Sequence, residues 1–118
     1  MTLEVVGASK IRNQDVGDWD EEGNIKIARL GDYKMETCLA VHEIVEWTLC
    51  KSLGITDEVV TNFDADHLTF IGHEHHESGD CPLSPYSVPH KTATMVERLV
   101  AFFLGVSWED YGKVIDSF

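Results

Sequence analysis

At 118 residues the chain has room for one domain with a modest core, and 43% hydrophobic content is ordinary for a globular protein. Twenty-one acidic against nine basic residues give a formal charge of −12, which disfavours phosphate-backbone binding and argues against a nucleic-acid ligand. No apolar run approaches a membrane span, and Met1 to Val6 lacks the basic start and apolar centre of a signal peptide, so a cytoplasmic protein without membrane contact is expected.

Leu3 to Ala8 reads as a short strand. Asp18-Trp19-Asp20, then Glu21 to Asn24, then Ile25 to Leu30 is a hairpin signal, because Gly23 can take the positive φ of a tight turn and Ile25 and Ile27 alternate with Lys26 and Ala28. A small antiparallel sheet is therefore expected ahead of the first helix. Gly31 breaks the last strand, and Asp32 is placed to accept hydrogen bonds from the free amides that follow.

Met35 to Leu53 contains no Gly or Pro and reads as a buried helix. Its stripe of Met35, Cys38, Leu39, His42, Val45, Glu46, Leu49 and Leu53 sets a His and a Glu where core residues belong. Cys38 and Cys50 lie about 18 Å apart along that helix at 1.5 Å per residue, too far for a disulfide, and read as small core residues. The helix stops at Leu53-Gly54-Ile55-Thr56, with Thr56 capping a short helix through Asn62; Leu104-Gly105-Val106-Ser107 repeats the device and starts another at Trp108 to Tyr111.

Between Asn62 and Tyr86 lies a long irregular stretch with a brief apolar run, Leu68 to Ile71, and then His73, Glu74, His75, His76, Glu77, Asp80 and Cys81. These ligand types are adjacent and lack the spaced pairs of a structural zinc site, so a solvated loop that meets metal only adventitiously is the expectation. The second long helix opens with Ser87 as N-cap and Pro89 in its first turn. Its inward stripe is His90, Ala93, Glu97, Val100 and Leu104, with Val96 and Phe103 beside it, so it too sets a His and a Glu in core positions.

Burying an unpaired carboxylate costs several kcal/mol, so His42, Glu46, His90 and Glu97 need partners. They either bond to one another and the backbone or hold a metal. His42-Glu43-Ile44-Val45-Glu46 differs by one residue from the His-Glu-x-x-His helix of zinc peptidases, in which residues i and i+4 share a metal and the Glu at i+1 acts as base. Here the second His is Glu46, a legitimate zinc ligand that also admits harder metals. Antiparallel packing of the two long helices brings His90 to the His42–Glu46 face, and the four residues are expected to converge within about 4 Å.

The His-Glu-x-x-Glu helix ending in Leu-Gly-Ile, the acidic loop with Phe63-Asp64, and Pro85-Tyr86-x-x-x-His90-x-x-Ala93-x-x-x-Glu97-Arg98-Leu99 together resemble a group of small proteins of phages and prophages. They also look like a reduced zincin-type metallopeptidase. The resemblance covers Gly17 to Tyr111 and implies an α+β, zincin-like fold in the cytoplasm of a bacterial host. It also implies a zinc or other divalent transition-metal ion on His42, Glu46 and His90, with Asp64 as an alternative ligand. Glu43 would be the general base, Glu97 a carboxylate orienting a ligand His, and Tyr86 a donor to a developing oxyanion. Two functions follow: a metal-dependent hydrolase acting on a peptide or similar substrate, or a non-catalytic acidic module that binds a host or phage protein.

Overall fold

The computed structural model describes residues 1–12, 15–67 and 78–118. Strands β1 (Thr2–Val6), β2 (Gly17–Trp19) and β3 (Asn24–Ala28) precede helices α1 (Tyr33–Leu53), α2 (Asp57–Asp66), α3 (Ser87–Leu104) and α4 (Trp108–Asp116). Short 3-10 turns occupy Ala8–Lys10 and Ser78–Asp80. The chain is thus a mixed α and β protein of four helices and a small sheet among the described residues. None of these helices is long and apolar enough to cross a membrane.

The sheet order is β1-β3-β2. β2 and β3 form the expected antiparallel hairpin, with Trp19 opposite Ile25. β1 departs from expectation: it pairs parallel to β3, Thr2 opposite Asn24 through Val6 opposite Ala28. The sheet is mixed rather than antiparallel because the segment after β1 crosses over before β2 begins, so β1 joins the far edge of β3 running the same way. Local turn chemistry specifies the hairpin and carries no information about that distant edge.

Asp32 caps α1, its carboxylate accepting from the amides of Lys34 and Met35. At the other end Gly54 takes φ 73° and its N–H reaches back to the carbonyls of Cys50 and Lys51. Gly105 does the same for α3 at φ 71°, and Thr56 and Ser107 then cap α2 and α4 through their hydroxyls. α2 continues to Asp66, a turn beyond the predicted end, and α3 is preceded by Tyr86 rather than capped by Ser87. The sequence set Leu53 on the inward stripe of its helix and Phe103 beside that of α3, but both are exposed; helical periodicity shows which residues share a face without showing which face is covered.

Apolar packing falls into two clusters. One gathers Ile27, Cys38, Leu39, Ala40, Ala101 and Tyr111; the other gathers Trp19, Ile25, Cys50, Val60 and Tyr86. Cys38 and Cys50 are fully buried free thiols, one in each. On α1 the stretch between them is Leu39 to Leu49, and its buried members include His42, Glu43 and Glu46. The polar residues therefore lie between two apolar halves. Arg12 braces this arrangement from outside, with both terminal guanidinium nitrogens on Asp57 at 3.0 and 2.9 Å and a further bond to the Trp19 carbonyl at 2.8 Å, tying β2 to the start of α2.

Candidate metal centre

α1 and α3 pack lengthwise. Their polar pairs fix the direction: His42 meets Glu97 and, one turn on, Glu46 meets His90, so the helices run antiparallel. His42 places Nδ1 2.8 Å from Glu97 Oε1 and Nε2 3.0 Å from Glu46 Oε2. His90 places Nδ1 2.9 Å from the same Glu46 Oε2. All four side chains are buried, with 4 to 7% of each residue exposed. The two imidazoles therefore converge on one carboxylate oxygen, with ring centroids 4.8 Å apart.

Further residues hold this cluster in place. Trp19 donates its indole N–H to Glu46 Oε1 at 3.1 Å, and Tyr111 donates its hydroxyl to Glu97 Oε2 at 2.5 Å. Asp80 brings Oδ1 to 3.4 Å from His90 Nε2. The line Tyr111, Glu97, His42, Glu46, Trp19 is continuous across four elements, each group orienting the next. Trp19 and Tyr111 were not identified as site residues from the sequence. Trp19 stands beside a hairpin turn and Tyr111 opens no motif; an aromatic with a polar handle in a short amphipathic segment was the only signal available.

Electrostatics follow from burial and pairing. Burial alone would push the His42 imidazole down, but its bonds to Glu46 and Glu97 outweigh that and hold its pKa well above the ordinary histidine value. Burial would raise Glu46, yet the bonds from His42 and His90 bring it down to about 2. Glu43 is the opposite case. It is 8% exposed and accepts no hydrogen bond from any described residue, so burial first and the Glu46 charge second hold its carboxyl well above the usual carboxylate range. Gly17 lies directly over it: a Cβ there would come within 2.7 Å of Glu43 Oε1.

Asp64 lines the same cavity but does not join the ligand group around the two imidazoles' shared oxygen. Its Oδ1 accepts from Ser78 Oγ at 2.6 Å and from the Tyr86 hydroxyl at 2.5 Å. The Tyr86 hydroxyl is thereby committed to Asp64, and burial together with that carboxylate raises its pKa. Ser78 to Asp80 form a turn pressed against His90, with no room for a Cβ at Gly79 beside the imidazole. The predicted ligand-rich run His73, Glu74, His75, His76 and Glu77, with the apolar run Leu68 to Ile71, lies outside the described residues.

His42, Glu46 and His90 can hold a metal ion: one ligand atom from each lies within 4.8 Å of the others, and no further described residue joins them. The donor set fits a divalent ion chemically. It comprises two imidazoles and a carboxylate, with Glu97 behind His42 and Trp19 behind Glu46, the outer hydrogen bonds by which proteins orient metal ligands. A cavity of about 750 Å³ opens over this group, with His42, Glu43, Glu46 and His90 in its lining. α2 contributes Val60 and Asp64 to its wall and α4 contributes Trp108 and Ile115. No family model, curated protein or solved structure matches the chain, so the reading of this site rests on its own geometry.

Proposed function

We propose that the chain is a mononuclear metal-dependent hydrolase of zincin-like design, acting on a peptide or another substrate with a polarised carbonyl or phosphoryl group. The observation that supports this most is a three-residue His, Glu, His donor group in the lining of an open cavity, beside a buried carboxyl that accepts no hydrogen bond from any described residue. Catalytic zinc sites use three protein ligands, and two His with one Glu is a recurrent set, whereas structural sites use four. The chain departs from His-Glu-x-x-His in order but keeps that inventory, with the carboxylate on α1 and the second imidazole on α3.

Zinc suits this mixed nitrogen and oxygen set, as do other divalent transition ions. Bound there, the ion would supply Lewis acidity, polarising the scissile group and acidifying water. The residues supply the rest. As its carboxylate, Glu43 takes the proton lost as water adds to the substrate and delivers it to the leaving group, and the burial that raises its pKa makes that carboxylate the stronger base. Glu97 fixes the His42 ring through Nδ1, Tyr111 fixes Glu97, and Trp19 holds one oxygen of Glu46 so that the other faces the imidazoles.

Metal analysis and hydrolysis assays on protein purified without chelators or an affinity tag test this. About one ion per chain is expected, lost in His42→Ala. Glu43→Gln is expected to keep metal and melting temperature while abolishing activity on peptide and phosphoester panels. A second reading, a non-catalytic acidic module, draws on the hydrogen bonds that already satisfy Glu46 and Glu97 without an ion. Under that reading Glu43→Gln removes no activity and Glu43 serves the fold alone.

A further inference from the structure

The outward face of α3 has the opposite character to its inward face. Val88, Met95, Leu99, Phe102 and Phe103 are each between 57 and 76% exposed. Val88, Thr92, Met95, Leu99 and Phe102 follow alternating steps of four and three, the spacing of a seam that packs against another helix. The Phe102 and Phe103 rings meet edge to face at 5.4 Å and widen the seam at its C-terminal end. With aromatic side chains of about 150–250 Å² and aliphatic ones somewhat smaller, the exposed apolar area is on the order of 600 Å². That is the top of the range for the largest patch on a monomer. It is most of the roughly 800 Å² that each partner contributes to a stable interface.

Charge narrows the occupant. The only acidic residue of α3 is Glu97, which is buried and bonded to His42 and Tyr111. Its exposed charges, Lys91 and Arg98, are both positive, on a chain whose net charge is −12. Two such molecules repel through their acidic surfaces and meet with least opposition along a helix that itself carries no exposed carboxylate.

We infer that this face is the contact between two copies of the chain, with the α3 helices packed antiparallel about a two-fold axis at Met95. In that register Val88 faces Phe102 of the other copy, Lys91 faces Leu99, Thr92 faces Arg98 and Met95 faces itself. Each cation then opposes a neutral residue, and the Lys91 stem covers Leu99. A parallel pairing would set Lys91 against Lys91. An anionic lipid surface fits the cationic flank but is opposed by the charge of the rest of the molecule.

Sedimentation equilibrium of the full chain tests the inference. A dimer is expected at about ten micromolar, and Met95→Glu, which sets two carboxylates across the axis, is expected to raise the dissociation constant on the order of 100-fold. Metal content should be unchanged, since Met95 lies outside the centre. A second variant, Met95→Cys, is expected to form an intermolecular disulfide on mild oxidation, whereas Lys113→Cys on exposed α4 is not; the native thiols are all buried. A wild-type monomer throughout, a dimer that survives Met95→Glu, or a monomer that floats with anionic phosphatidylserine vesicles would each overturn the assignment.

Discussion

The Trp19 indole donates to Glu46 Oε1 while His42 and His90 both meet Glu46 Oε2, so the two oxygens of one carboxylate are divided between an indole donor and a pair of imidazoles. Trp19→Phe keeps the ring in the core and removes only that donor. It is expected to cost about 1–3 kcal/mol of stability, the penalty for a buried acceptor left short of a partner. Metal affinity should fall roughly tenfold or more, as for other losses behind a ligand. Denaturant unfolding and metal competition measure the two; unchanged affinity would show that Glu46 needs no support.

Gly79 lies so close to His90 that a Cβ would overlap the imidazole. Gly79→Ala therefore displaces either the Ser78–Asp80 turn or the ring, at about 1–3 kcal/mol, the usual cost of overpacking. Metal affinity should drop with it. Gly7→Ala is the control, because nothing lies within 4 Å of that position and its φ of −62° suits any residue. It should change stability by under about 0.5 kcal/mol.

With metal stripped by a chelator, stability should peak in mildly acidic solution. His42 has its pKa raised by folding, so its contribution is complete below the unfolded value near 6.5 and is lost as pH climbs through the higher folded value. Glu46 has its pKa lowered to about 2, so its contribution is complete above the unfolded value near 4.5 and is lost as pH falls toward 2. Added metal must displace the His42 proton, so the gain in melting temperature from metal should grow as pH rises. A chelated protein that grows steadily more stable from pH 6 to 9 would show that His42 is neutral in the fold.

Gly54→Ala and Gly105→Ala each force a Cβ into a left-handed cap, at a cost of about 1–2 kcal/mol. The caps close different helices, so the double variant should lose the sum to within about 0.5 kcal/mol. A markedly larger loss in urea unfolding would mean that the two ends communicate through the α1–α3 interface.

The sequence shows α1 clearly, because twenty-one positions without Gly or Pro follow an Asp that caps and precede a Gly that ends. His42, Glu46, His90 and Glu97 stand out as polar residues on apolar stripes, and antiparallel packing brings them together. What it does not show is non-local. The parallel edge of β1 depends on a crossover that no turn residue marks, and Trp19 and Tyr111 reach the centre from elements separated from α1 and from each other. Asp64 enters the sequence reading only as an alternative ligand implied by the zincin-like resemblance, and its bonds to Ser78 and Tyr86 are long-range contacts that no local pattern marks.

A polar cluster between two apolar halves also sets an order of assembly on the ribosome. His42 meets Glu97 across 55 positions of chain and Glu46 meets His90 across 44. At about 5–20 residues per second, α1 emerges roughly 3–10 seconds before its partner helix is complete. During that interval Trp19 can reach Glu46, but two imidazole-carboxylate bonds are missing and the face that will receive α3 is open to water. The N-terminal half therefore lacks part of its bonding and one wall of its core until residues 87–104, and then Tyr111, have joined it.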